Sequence, residues 1–167
     1  HAGAIGITCA KVGEAEVFAE AGIRDILIAN QVVGAEKTRR VAALAKHSKI
    51  AVAVDDPANV EELSAAAKEA GSEIGVLVEV DVGMGRCGVR AGEPALSLAE
   101  EAARKKGLRL RGLMSYEGHL VLRPNPEERR QAVIESMQAM LETARLLQEH
   151  GLPVEVLSGG GTGTYDF

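Results

Sequence analysis

Residues 50–80 read IAVAVDDPANVEELSAAAKEAGSEIGVLVEV, and this stretch decides the fold. It opens on an apolar run, Ile50–Val54, and closes in a second, Ile74–Val82. A strand with one wet face alternates apolar and polar residues; a strand covered on both faces reads as a continuous apolar run, which is the habit of parallel sheets. Between the two runs, Asp56-Pro57 supplies a helix N-cap with Pro at the first helical position. Gly71 follows the last helical turn, where a left-handed residue ends a helix. The stretch is therefore strand, helix, strand.

The same unit repeats outward. Further strands are expected at Ala4–Thr8, Asp25–Ala29, Leu108–Ser115 and Val154–Leu157. Further helices are expected at Val12–Ala21, Ala35–Lys46 and Pro94–Lys106. Gly22 and Gly107 follow helices as Gly71 does. Asn125-Pro126-Glu127-Glu128 starts a last helix, with Glu128 placed as in a capping box, and Gly151 and Pro153 end it. Its apolar face is Val133, Met137, Met140, Leu141, Ala144 and Leu147. Strict alternation of six strands and five helices makes an α/β domain. An open doubly wound sheet and a (β/α)8 barrel both fit. A closed barrel takes about 200 residues or more, so 167 residues would make most of one, short of two strands. The chain opens on His1 without Met and stops at Phe167 just after a Gly-rich turn. The expectation is an incomplete barrel spanning residues 1–167, part of a longer protein.

Composition narrows the function. The chain is 46% hydrophobic and 26% charged, as a globular domain is. No apolar run reaches eighteen residues, so no transmembrane helix and no membrane partner are expected. A net charge of −5 and only four aromatics, Phe18, Tyr116, Tyr165 and Phe167, argue against a nucleic-acid partner. Two cysteines, Cys9 and Cys87, make neither a disulfide scaffold nor a four-cysteine zinc site. They read as small buried fillers in a reducing compartment, and no signal-peptide pattern is visible; cytoplasmic location is expected.

In either architecture ligands bind at the carboxyl ends of the parallel strands. The residues there are Thr8-Cys9, Asn30-Gln31, Asp55-Asp56, Gly83–Arg86, Tyr116–His119 and Ser158–Thr162. The loop SGGGTGT, residues 158–164, is the most informative. Consecutive glycines let a backbone approach a ligand, and their N–H groups form anion nests. Ser158, Thr162 and Thr164 add hydroxyls, which suits a phosphate; the lysine of a nucleoside-triphosphate loop is missing. Gly83, Gly85 and Gly88 match the spacing G-x-G-x-x-G, but no helix opens at Gly88 and no acidic residue closes the next strand. A dinucleotide-dependent oxidoreductase remains the alternative from another class. Arg86 is a permanent cation suited to a carboxylate, a phosphate or a heteroaromatic nitrogen, with a surface ion pair as the plainer reading. Tyr116 and His119 share one loop and are the candidate acid–base residues. Asp56 is explained as a helix cap, and no metal-ligand spacing is present.

The stretches GAIGITCAKVGEAE, ILIANQVVGAEK, VLVEVDVGMGRCGV, GLMSYEGHLV and LSGGGTGTYDF occur in that order. Together they resemble the D-threonine aldolase and D-serine dehydratase family of pyridoxal 5'-phosphate enzymes, within the alanine-racemase-like group, over essentially the whole chain. The resemblance implies a fold type III barrel followed by a β-rich C-terminal domain. It implies that Arg86 faces the pyridine nitrogen of the cofactor and that Tyr116 sits beside cofactor and substrate. Ser158, Gly160, Gly161 and Thr162 would hold the phosphate, and Asn30 and Gln31 would line the pocket. Arg stays protonated, so the ring nitrogen would remain a neutral acceptor, a weaker electron sink than a pyridinium. That suits aldol cleavage of a D-3-hydroxy amino acid to glycine and an aldehyde, with D-serine dehydration or a noncatalytic cofactor carrier as alternatives. The family's Schiff-base lysine lies upstream of the AGAIGIT match, and Lys11 is not that residue. Its divalent-metal ligands lie in the C-terminal domain. The chain alone is therefore not expected to turn over substrate, and the resemblance implies a homodimeric parent protein.

Overall fold

The computed structural model describes residues 3–167. The stretch that decides the fold forms β3 (Lys49–Val54), α3 (Pro57–Ala70) and β4 (Ile74–Asp81). The Asp56 carboxylate accepts the Ala58 amide at 2.7 Å, and Gly71 ends the helix at φ 64°. Before this unit come β1 (Ile7–Cys9), α1 (Val12–Glu20), β2 (Asp25–Gln31) and α2 (Ala35–Leu44). After it come β5 (Val89–Arg90), α4 (Glu93–Arg104), β6 (Leu108–Met114), α5 (Pro126–Glu149) and β7 (Val156–Ser158).

Every pairing is parallel, and the sheet order is β1-β2-β3-β4-β6-β7, with the short β5 attached to β4. Each main strand lies beside its predecessor and the order never reverses. A doubly wound sheet must reverse at a switch point, so that architecture is excluded. Strands added always on the same side make the progression of a barrel, here a parallel-strand half-barrel.

The two faces of the sheet differ in the size of the apolar cluster each carries. One carries Ile26, Ile28, Ile50, Val52, Ile74, Val76 and Val78, which pack with Val41, Val60, Leu63, Leu98 and Leu147 of the helices. The other carries a small cluster of Ala53, Leu77 and Met114, with Leu27, Ala29 and Val156 against it. Gly75 belongs to this second face: a Cβ there would meet Arg111 Cδ at 2.8 Å. A large apolar cluster under the helices and a small one opposite suit a sheet that curves away from its helices. No helix among the described residues is long and apolar enough to cross a membrane.

Several boundaries differ from the sequence reading. β1 starts at Ile7 rather than Ala4, because Gly6 is pressed on the Asp25 carbonyl and Ile5 stands 88% exposed. β2 runs on to Gln31 through a register shift after Ile28. A bulge of this kind re-aims the side chains that follow it, here Asn30 and Gln31. β5 is two residues long and carries no readable pattern. β7 is displaced toward the glycine loop. In α5, Leu141 is exposed rather than buried, and the covered stripe is Val133, Met140, Ala144 and Leu147. Its N-cap is not the expected capping box: the Glu128 carboxylate takes the side-chain amide of Asn125 at 3.0 Å, while Asn125 Oδ1 accepts the Glu127 and Glu128 amides.

Candidate functional site

Alternation along β4 puts Glu79 on the face away from the helices, at the carboxyl end of the sheet. Glu79 is only 3% exposed. Burying a carboxylate is expensive unless donors surround it, and three groups do. Gln31 Nε2 donates to Oε2 at 2.5 Å. Cys87 Sγ donates to Oε1 at 2.9 Å, and Arg86 Nη2 stands 3.6 Å from the same oxygen. Arg86 Nε in turn donates to Cys87 Sγ at 3.3 Å. The guanidinium lies over the Tyr116 ring, 5.4 Å from its centroid, within cation–π range. Burial, and then the bond to Glu79, push the Cys87 thiol above its usual value, so it stays a donor. Arg86 is thus held by a carboxylate, a thiol and an aromatic face while half of its side chain remains open. Cys87 is no inert filler, and Arg86 is no plain surface pair.

The Gly83–Gly88 loop is organised by carboxylates. Gly83 N and Gly85 N both donate to Asp81 Oδ1 at 3.0 Å. Gly88 N donates to Asp55 Oδ2 at 2.8 Å. All three glycine amides of the G-x-G-x-x-G spacing are taken by the chain's own anions, so a pyrophosphate would meet carboxylates instead of donors. The dinucleotide reading fails on this geometry. The Gly85 amide foremost, then those of Gly83 and Met84, hold the Asp81 carboxyl below its usual range, against an opposing effect of burial. The sign follows from linkage. A carboxyl with a depressed folded-state pKa stabilises the fold above its unfolded pKa, and that contribution fades as pH falls through the folded value. Wild type is therefore expected to exceed Asp81→Asn in urea midpoint at pH 7, with the gap closing below about pH 4. A gap that stays constant down to pH 3 would refute this.

Past β6, the Ser115 amide donates to the Ser158 carbonyl at 2.9 Å and carries the β6–β7 pairing into the glycine loop. The Tyr116 ring is packed between two glycines. A Cβ on Gly118 would lie 2.3 Å from its Cε1, and one on Gly161 would lie 3.1 Å from its Cε2. Glu117 is fully buried. It accepts the Gly160 amide at 3.2 Å and the Thr164 hydroxyl, which itself accepts the Gly161 amide at 3.0 Å. Among the described residues, the amides of Thr162 and Gly163 and the hydroxyls of Ser158 and Thr162 have no protein partner.

The residues expected at the site are only partly gathered. Gln31, Arg86 and Tyr116 form one connected set through Glu79 and Cys87, and Gly161 joins it against Tyr116. Asn30 does not join. Its side chain donates to the Ala10 carbonyl at 3.3 Å and accepts the Gln31 amide, bracing the loop after β1. His119 is exposed in a single 3-10 turn, Gly118–Leu120, beside Gly83 and Asp81 rather than beside the Tyr116 ring. Glu79 and Asp81 were not singled out by sequence reasoning, Glu117 entered it only as part of the Tyr116–His119 rim, and Thr164 was read as a hydroxyl for the phosphate, whereas it binds Glu117. The one available signal was a glutamate inside the apolar run VLVEV. No group of three or more His, Cys, Asp or Glu among the described residues could hold a metal ion.

The alanine racemase N-terminal domain family matches residues 1–166. The chain is 42% identical over 165 residues to the D-threonine aldolase of an Arthrobacter species, covering 99% of this chain and 44% of that protein. It is 40% identical over 166 residues to the 3-hydroxy-D-aspartate aldolase of Paracoccus denitrificans (strain Pd 1222), covering 99% and 43%. The crystal structure of D-threonine aldolase from Filomicrobium marinum superposes with a TM-score of 0.96 at 41% identity, covering 99% of this chain and 45% of that one. The chain spans less than half the length of each of these three relatives. The family expected from the GMGRCGV and GGGTG stretches and the incomplete barrel expected from the alternation of elements are both borne out, the latter as a half-barrel. The chain belongs to the alanine racemase N-terminal domain family.

Proposed function

We propose that this chain is the cofactor-binding half-barrel of a pyridoxal 5'-phosphate-dependent lyase that cleaves D-3-hydroxy amino acids to glycine and an aldehyde. The observation that carries the proposal is the pairing of two features across Tyr116. On one side is a fixed cation, Arg86, held by Glu79 and Cys87. On the other is a glycine loop with unpartnered amides and hydroxyls at Ser158, Thr162 and Gly163. Donors left open in a glycine-rich turn fit a phosphate, and a planar donor fork fits a heteroaromatic nitrogen. The residues present therefore fit the cofactor. The names of the similar proteins, two of them aldolases of D-3-hydroxy amino acids, support the same reaction class.

When bound, the cofactor supplies an electron sink for cleavage of a bond next to the substrate nitrogen. The chain's own residues supply the setting. Ser158, Gly160, Gly161, Thr162 and Gly163 form the phosphate cradle, with the open donors at Ser158, Thr162 and Gly163. Arg86 keeps its proton and would hold the ring nitrogen as a neutral acceptor, which would limit the strength of the sink and favour cleavage over competing chemistry. Tyr116 forms one wall, with its phenol oxygen available to hold or pass a proton. Gln31 fixes Glu79 and so the Arg86 carboxylate partner. Asn30 supports the rim beside Gln31. His119 is assigned proton transfer at the outer edge, where its imidazole is open to water. The proposal extends to a cytoplasmic homodimer with a Schiff-base lysine, a divalent metal and a β-rich domain supplied from outside residues 1–167.

The test is turnover by the full-length protein of D-threonine and D-serine. Glycine and acetaldehyde from D-threonine, with L-threonine inert, is the expected result. A 2-oxo acid with ammonia, and no aldehyde, would replace the aldolase reading by β-elimination. Cofactor binding without any turnover would replace it by a carrier.

A further inference from the structure

A carboxylate buried beside an anion-binding loop sets two negative groups against each other unless it serves that loop. Glu117 is such a group. It is fully buried, and no Lys, Arg or His among the described residues pairs with it. Its donors come from the glycine loop itself. Oε2 takes the Gly160 amide, and Oε1 takes the Thr164 hydroxyl, which is buried as well. That hydroxyl accepts the Gly161 amide, so a second glycine is tied to Glu117 through Thr164. The Thr164 and Tyr165 amides both donate to the Gly161 carbonyl and close the turn.

The loop is therefore split. The amides of Gly160 and Gly161 point inward to Glu117 and Thr164. Those of Thr162 and Gly163 are left without a protein partner. Gly160 opens the inward set at φ 80°, a conformation L side chains rarely adopt. The bond from Gly161 to the Thr164 hydroxyl also holds Gly161 beside the Tyr116 ring, where an added Cβ would lie 3.1 Å from Cε2. Without an internal anion, four successive amides would compete for one ligand and the loop would have no preferred orientation.

We propose that Glu117 is the template on which the glycine loop is folded. It is a positioning residue that draws two amides inward, so that those of Thr162 and Gly163 face a phosphate-bearing ligand in a fixed pose beside Tyr116. This rests on the reading of residues 158–164 as a phosphate site. The template acts through hydrogen bonds. Gln at this position keeps an acceptor for the Gly160 amide, and the Thr164 hydroxyl can turn to the Gly161 carbonyl, 3.3 Å away.

The experiment is equilibrium binding to the full-length protein of pyridoxal 5'-phosphate, of pyridoxal, and of inorganic phosphate as competitor. Both aldehydes share every contact except the phosphate, so their affinity ratio isolates the loop. Glu117→Ala is expected to lose affinity for the phosphorylated ligand by about 10-fold or more, with pyridoxal altered by less than about 3-fold. Thr164→Val, which removes only the linking hydroxyl, is expected to follow it and decides the matter if the alanine variant does not fold. Glu117→Gln is expected to stay within about 3-fold of wild type. An unchanged ratio in Glu117→Ala or Thr164→Val overturns the inference. So does a parallel loss of both aldehydes, or a Gln variant as weak as the Ala variant. A different result sinks the underlying phosphate reading: wild type that binds the two aldehydes equally and is indifferent to inorganic phosphate.

Discussion

Arg86→Ala in the full-length protein is expected to lower kcat on a D-3-hydroxy amino acid by about 100-fold or more and to alter the absorption spectrum of the bound cofactor. The magnitude is that of removing one preorganised donor from the position where charge develops. Its basis is the way the guanidinium is held. Glu79, Cys87 and Tyr116 restrain it on three sides, so little reorganisation is left for the reaction. Arg86→Lys keeps the charge but loses the planar fork, and it is expected to recover only part of the rate. Arg86→Glu reverses the charge beside the buried Glu79 carboxylate and is expected to be the worst of the three. Unchanged turnover together with an unchanged spectrum in Arg86→Ala would remove the residue from the site.

The second large effect is on the sheet that carries the glycine loop. Gly112 sits at the bulge in β6, where the pairing with β4 skips from Leu110 to Gly112. Its φ is 143°, and a Cβ there would lie 2.1 Å from the Val156 carbonyl oxygen. That oxygen is backbone, so only a movement of β7 away from β6 relieves the overlap. Gly112→Ala is expected to cost about 3 kcal/mol or more, from dihedral strain and lost ladder pairing together. Gly151→Ala is the control. It has φ 72° with nothing within 4 Å of the added carbon, so only the backbone term applies, about 1 kcal/mol. Thermal midpoints of the two variants measure the difference. Equal losses would show that dihedral strain, and not the crowding of β7, sets the cost. Because β7 ends at Ser158, the Gly112 variant is also expected to weaken phosphate binding while leaving Arg86 in place.

The parts of this molecule that are legible in advance are those written in neighbouring residues. Asp56 caps α3, Pro57 begins it and Gly71 ends it as the sequence indicates, because a cap is a contact over two or three positions. The apolar runs of β3 and β4 announce a parallel sheet because both faces of each strand are covered. Arg86, Tyr116 and the 158–164 loop are legible as candidates because residues just after parallel strands gather on one rim. Leu141 is misplaced by its spacing because helical periodicity gives the direction of a side chain but not where the neighbouring surface stops. Asn30 escapes the sequence reading because a bulge in β2 turns it toward the loop after β1.

What the sequence by itself determined is the alternation of strands and helices, the caps, the rim candidates and the family, all carried by local spacing. Tertiary structure alone decided the direction of winding, since any strand order is compatible with the same alternation. It also decided which anion meets which donor. Gln31 meets Glu79 across 48 positions, Gly88 meets Asp55 across 33, and Gly160 meets Glu117 across 43. Glu79 and Glu117 are acceptors in these contacts; the apolar run around Glu79 hints at its burial, and nothing adjacent to Glu117 does. They are buried because strands far apart in sequence bring donors to them, and a carboxylate leaves water only where such donors are already in place.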